Sequence, residues 1–223
     1  MQKYSNKTAS FKNKLYFCEL IIRKFQMNSS QNKITDLVYT LYNDTRTVFR
    51  LKDVAILTGE TSFNSLNMKL NYYVRTGRLQ NPRKGIYCKP NYNPQELACR
   101  IFAPAYLSLE YVLQRAGVVF QFDSRYTVLS YLSREVEIDD NIFVFRKIKN
   151  ELLVSQQGIL QQGNTVTIAT PERAFLDMLY LNGAMYFDNL NPLNQDLIKQ
   201  ILPIYHSKIL NQRVQKILKD NGL

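Results

Sequence analysis

The apolar positions of the chain change their period several times, and the changes mark out its elements. Over Phe11–Phe25, the residues Leu15, Cys18, Ile21, Ile22 and Phe25 recur at three- and four-residue spacing, which predicts an amphipathic helix. The reading preferred for it is packing on the next domain; a dimer contact and a membrane-surface helix are the alternatives. Beyond Lys33, Ile34, Leu37, Val38 and Leu41 predict a helix that ends near Asn43-Asp44, and Thr47-Val48-Phe49 is short and β-prone. Leu51, Val54, Ala55 and Leu57 predict a second short helix, closed by Gly59. Thr61 or Ser62 then caps a third helix, whose apolar stripe is Phe63, Leu66, Leu70, Tyr73 and Val74, and Gly77 ends it. Leu79-Gln80 and Ile86-Tyr87-Cys88 read as short strands around the basic turn Asn81-Pro82-Arg83-Lys84-Gly85.

Lys89-Pro90-Asn91-Tyr92-Asn93-Pro94 reads as a linker. After it, Pro94 to Phe102 and Leu107 to Ala116 predict helices, and Tyr126 to Tyr131, Asn141 to Ile148 and Thr165 to Ala169 predict strands. Glu135 to Asp140 is expected as an acidic connector between the first two of those strands. Thr170-Pro171-Glu172 opens a helix that runs to Leu181, with a capping threonine, proline at the first position and an acid in the first turn. That helix is apolar almost all round, so it is expected to be buried. Its exceptions, Arg173 and Asp177, lie one turn apart and predict a polar pair that anchors the helix on the sheet; a functional pair in a cleft is the alternative. Residues 193–202 and 206–219 predict two closing helices. The chain is long enough, at 223 residues, for one large domain or two small ones. The predicted class is therefore α+β: a basic helical extension over 1–29, a winged helix-turn-helix over 30–90, and a mixed α/β C-terminal domain over 94–223.

Charge sharpens this division. Residues 1–93 carry 16 Lys and Arg against 5 Asp and Glu, whereas residues 94–223 carry 13 of each. The whole excess of +11 sits in the first two-fifths of the chain, as expected of a polyanion-binding module joined to a neutral partner domain. The competing reading is that basic surface merely maintains solubility. No apolar run reaches the ~18 residues of a membrane helix, and the polar start lacks the pattern of a secretory signal, so the expectation is a cytoplasmic protein with no membrane partner. Cys18, Cys88 and Cys99 are isolated and read as structural thiols.

The order helix, short helix, turn, longer helix, basic hairpin suits a reader of double-stranded DNA. The second helix of such a unit enters the major groove, where its outward side chains meet base edges and phosphates. At 100° per residue, the face opposite the apolar stripe carries Thr61, Asn64, Ser65, Met68, Tyr72 and Arg75, with Ser62 at its start and Lys69 at its flank. No acid occurs between Thr61 and Lys89. Arg83 and Lys84 stand where a wing touches the backbone or minor groove, and Arg50 and Lys52 are expected phosphate contacts. The alternative is a winged helix used for protein contact, its polar face merely solvated.

For catalysis the sequence offers no constellation. The single histidine, His206, is expected on a polar helix face in solvent. No Walker A loop, GxGxxG or Glu-x-Lys nuclease element occurs. Glu135/Glu137 and Asp139/Asp140 are read as a solvated acidic loop rather than a magnesium site. The expectation is a binding protein, not an enzyme, without cofactor or metal.

Two groups of residues carry a family resemblance. Val48-Phe49-Arg50-Leu51-Lys52-Asp53-Val54-Ala55 with Gly59, Gly77-Arg78-Leu79 and Arg83-Lys84-Gly85-Ile86-Tyr87 resemble the winged-helix part of the AbiEi family of antitoxins. Pro104-Ala105-Tyr106-Leu107-Ser108-Leu109 with Gly117, and Ile168-Ala169-Thr170-Pro171-Glu172-Arg173-Ala174-Phe175-Leu176-Asp177, are similar to that family's second-domain motifs. The resemblance covers roughly residues 33–182. It implies an antitoxin of the type IV toxin–antitoxin (abortive infection) class that represses its own promoter and counteracts a nucleotidyltransferase-like toxin. The third helix departs from the family in being rich in Asn and Ser rather than Arg, and the lead-in of residues 1–29 is longer. An orphan regulator, whose C-terminal domain dimerises or senses a ligand, and a DNA-cleaving enzyme are the other classes considered.

Overall fold

The computed structural model describes residues 37–163, 165–183 and 185–221; the predicted helix over Phe11–Phe25 and the extension 1–29 lie outside the described residues. Residues 37–43 are helical (α1) and turn Leu37 and Leu41 inward. β1 (Val48–Arg50) runs directly into α2 (Leu51–Thr58), which Gly59 ends in the left-handed conformation at φ 65°. α3 (Phe63–Arg75) is capped by Ser62, whose hydroxyl accepts the Ser65 amide. Leu66, Leu70 and Tyr73 of α3 are buried, but Phe63, expected on the same stripe, is 53% exposed. It is the first residue of the helix and projects beyond the edge of the core that the later turns cover.

β2 (Gln80–Arg83) and β3 (Ile86–Cys88) complete an antiparallel sheet of order β1-β3-β2. The predicted five-residue turn contracts to Lys84-Gly85, with Gly85 supplying φ 79°. Pro82 lies inside β2 and has no N–H to pair. The register slips between Gln80 and Arg83, and the Asn81 side chain donates instead to the carbonyl of Ile86 at 2.7 Å.

The second unit is built on a six-stranded mixed sheet of order β6-β7-β5-β4-β9-β8. Its strands are β4 (Ala105–Leu107), β5 (Tyr126–Ser130), β6 (Arg134–Ile138), β7 (Asn141–Lys147), β8 (Ile159–Gln162) and β9 (Val166–Ala169). The β5–β7 and β4–β9 pairs are parallel, and the rest antiparallel. Around it lie α4 (Pro94–Ile101), α5 (Glu110–Arg115), α6 (Asn150–Val154), α7 (Pro171–Asn182), α8 (Gln195–Ile201), a 3₁₀ turn (Leu202–Tyr205) and α9 (Lys208–Asp220). The whole is a mixed α+β protein. Among the described residues no helix is long and apolar enough to cross a membrane.

Several elements depart from expectation. Glu135 to Asp140 is not a connector: Arg134–Ile138 form the edge strand β6, with Glu135 and Glu137 pointing to solvent and Ile138 buried. Charged side chains on an edge are what keeps such a strand from pairing with other chains, and they mask its alternation. The helix expected from Leu107 starts only at Glu110, because Ala105–Leu107 form the buried strand β4 and Leu109 turns the chain at φ 58°. His206 is exposed but stands between the 3₁₀ turn and α9, not on a helix.

The small sheet has two covered faces. Phe49 and Tyr87 pack with Leu66, Leu70 and Tyr73 in a small core, whereas Val48, Ile86 and Cys88 join the large core beneath α4. Period-two alternation thus assigns successive residues of β1 and β3 to different cores. The stretch read as a linker is itself tied down. Lys89 Nζ donates to the carbonyl of Asp44 at 2.6 Å, Asn93 caps α4, and the Tyr92 hydroxyl donates to Asp139 at 2.5 Å. Glu96, buried on α4, accepts from the Thr47 amide (2.7 Å) and hydroxyl (2.6 Å), the Val48 amide (3.1 Å) and the Thr165 hydroxyl (2.6 Å).

Candidate nucleic-acid interface

The cap at Ser62 and the buried stripe of α3 fix which residues face outward. Thr61, Ser62, Asn64, Met68, Tyr72 and Arg75 are exposed, and Ser65 and Lys69 are half-buried. One helix face therefore carries the expected side chains. The Ser62 hydroxyl is occupied by the cap, and Lys69 is paired with Glu60, which reaches across from the end of α2. Asn71 is also exposed on this face and was not singled out from sequence, although its helical position was available there. Asn67 turns inward enough to accept the Tyr87 hydroxyl at 3.3 Å.

The flanking cations differ among themselves. Lys52, in the first turn of α2, and Lys84, at the tip of the β2–β3 turn, are exposed. Arg83 is half-buried with its guanidinium 4.4 Å over the ring of Phe102. Arg50, expected as a phosphate contact, is half-buried at the junction of β1 and α2 and donates Nη2 (2.8 Å) and Nε (3.3 Å) to the carbonyl of Arg100. Its first task is to brace that junction. Arg50, Lys52, Arg83 and Lys84 nevertheless converge on one cleft of about 470 Å³, closed on the far side by Phe102 and Tyr131 of the second unit.

Arg173 and Asp177 form a fully buried ion pair, Nε to Oδ1 at 3.2 Å. Arg173 also donates to the carbonyls of Gln157 (2.9 Å) and Leu152 (2.8 Å) and to the Tyr106 hydroxyl (3.0 Å). Asp177 accepts from the hydroxyls of Tyr205 (2.6 Å), Ser108 (2.9 Å) and Tyr106 (3.1 Å). Burial pushes the Asp177 carboxyl up, while the Arg173 charge and the three hydroxyls oppose it. The Arg173 guanidinium is held above its ordinary range, its burial being outweighed by the Asp177 charge. Both side chains are wholly buried, and their bonds join α7 to β4, α6 and the 3₁₀ turn as an anchor. Gly158 permits the fit: a Cβ there would lie 2.8 Å from the Arg173 Cβ.

Cys88 and Cys99 are free and buried, and burial pushes their thiols up to about 12 and about 11. Neither is expected to react with iodoacetamide at pH 8 until the protein unfolds, as peptide-level mass spectrometry will read. Labelling of the native protein at either position would contradict their packing. Among the described residues no three His, Cys, Asp or Glu converge to hold a metal ion.

No protein-family model matches the chain, and a search of curated proteins found no match.

Proposed function

We propose that the protein is a DNA-binding transcriptional regulator in which α1–α3 and the β2–β3 hairpin serve as a winged helix-turn-helix. The observation that carries this reading is the exposed face of α3, a helix with no acid of its own, whose first residue Phe63 lines one cleft with Lys52 and Lys84. Asn64 and Asn71 have donors and acceptors, and Arg75 has donors, that read base edges in the major groove, and Thr61 and Tyr72 have hydroxyls for phosphates. The basic bias of residues 1–93 adds the long-range attraction that brings such a face to DNA. The protein acts by binding rather than by catalysis.

The resemblance to the AbiEi antitoxins supports a fuller reading: an autorepressor of a type IV toxin–antitoxin pair that counteracts a nucleotidyltransferase-like toxin. Where such a toxin is encoded beside this gene, co-expression with it is expected to restore the growth of toxin-producing cells. Failure of rescue would leave an orphan regulator, a reading that a cavity of about 360 Å³ beside α6 and β9 favours as a ligand-sensing site.

The test of the DNA reading is binding of the full chain to its own promoter and to a scrambled fragment across a salt series. Selective binding with a steep salt slope is expected. Replacing Arg83 and Lys84 by alanine should weaken binding to all sequences and lower the slope by about 2, at roughly 0.9 per phosphate contact. Arg75→Ala or Asn64→Ala should instead erode selectivity, by roughly 5- to 100-fold for a lost base contact. No binding at low salt would sink the reading.

A further inference from the structure

The cleft between α2, the β2–β3 turn and the second unit gathers four cations. Arg50, Lys52, Arg83 and Lys84 line it, and among the described residues no carboxylate does. The nearest acid in sequence, Asp53, is turned elsewhere: its Oδ2 accepts the Arg50 amide at 3.0 Å and faces the Arg100 guanidinium at 3.5 Å. Burial, and then the neighbouring Arg100 charge, hold the Arg50 guanidinium below its ordinary range, against the opposing pull of Asp53. An anion in the cleft relieves that repulsion.

Charge alone describes any anion site, but this one also has exposed rings. Phe63, at the head of α3, is 53% exposed, and Tyr131, just past β5, is 45% exposed; both line the cleft. Tyr131 is set edge-on against Phe102 at 6.4 Å, so its ring is positioned by the second unit rather than by the surface helix. A contact made only to the phosphates on the outside of a DNA duplex needs no exposed rings beside the cations. A phosphorylated molecule with a flat aromatic base uses both.

We propose that this cleft binds a nucleotide, with its phosphates among Arg50, Lys52 and Lys84 and its base against Tyr131 and Phe63. Two sources share that chemistry: a free nucleoside phosphate, and an unpaired nucleotide of a DNA strand. The site stands on its own lining. One consequence rests on the DNA reading above: a free nucleotide held by Lys52 and Lys84 competes with duplex DNA for the same cations.

The experiment is calorimetric titration of the full chain with ATP, GTP, inorganic pyrophosphate and a short single-stranded oligonucleotide, repeated on two variants. Lys52→Gln/Lys84→Gln alters exposed side chains and should weaken all four ligands at least 10-fold. Tyr131→Ala should weaken the nucleotides and the oligonucleotide about 10-fold, the scale of one lost base stack, while leaving pyrophosphate unchanged. Tyr131→Leu, which keeps the apolar packing, serves where the alanine variant lowers the melting temperature. Binding of ATP or GTP with this pattern supports the free source, and binding of the oligonucleotide alone with this pattern supports the strand source. No binding of either, or binding indifferent to both variants, overturns the proposal even if promoter duplex still binds. Nucleotide binding by a protein that ignores promoter duplex supports the proposal and removes the DNA reading instead.

Discussion

Asp177→Ala is expected to cost about 3–5 kcal/mol of stability, the usual penalty for leaving one member of a buried ion pair without its partner. Arg173 is wholly buried, and Asp177 supplies the only carboxylate that it contacts among the described residues. The same truncation takes the acceptor from the Tyr205 and Ser108 hydroxyls, which lie inside the large core. At roughly 2–4 °C per kcal/mol for a chain of this size, the melting temperature should fall by about 10 °C. Replacing both members, Arg173→Met with Asp177→Leu, should recover much of the loss, since well-packed apolar residues commonly match a buried pair. Thermal unfolding followed by circular dichroism reads both. An alanine variant that melts within a few degrees of the parent would contradict the anchoring role.

Glu96→Ala should be nearly as damaging, at about 3 kcal/mol, for a different reason. The carboxylate collects two backbone amides and two hydroxyls from β1 and from the approach to β9. Hydrogen bonds to a charged group contribute about 1.5–3 kcal/mol each, and the orphaned amides keep their desolvation cost. The small cavity left beside them admits some water, which holds the net figure below the simple sum. Amide hydrogen exchange offers a site-specific readout: the Thr47 and Val48 amides should lose protection far more than those of β7. Glu96→Gln retains one oxygen and should fall between the two. Uniform protection in the alanine variant would show that Glu96 holds nothing together.

What could be read in the sequence was whatever local chemistry decides. The start of α3 at Ser62, the end of α2 at Gly59 and the Thr170-Pro171-Glu172 entry to α7 are set by capping rules that operate within four residues. The Arg173–Asp177 pair was visible for the same reason, one turn apart on one helix. Its other members were not. Tyr106, Ser108 and Tyr205 reach it only through β4 and the 3₁₀ turn, and nothing in their own neighbourhoods marks them. β4, only three residues long, is a strand because β5 and β9 flank it; β6 hides its alternation under the charges of an edge. Arg50, Lys52, Arg83 and Lys84 were all nameable from charge and periodicity. That these four enclose a space with Tyr131 was not, because the second unit must fold before that ring arrives there.

The shared small sheet also bears on how this protein can evolve. A protein whose parts meet at a free loop can trade one part for another by a single crossover in its gene. Here the seam runs through the thickness of β1 and β3, one strand face belonging to each side, with Glu96 pinned across it. A crossover near residue 89 would hand each descendant half of a sandwich cut for someone else's filling. Change is therefore expected to come as point substitutions on exposed surfaces such as the outer face of α3, with both parts inherited together as one cassette.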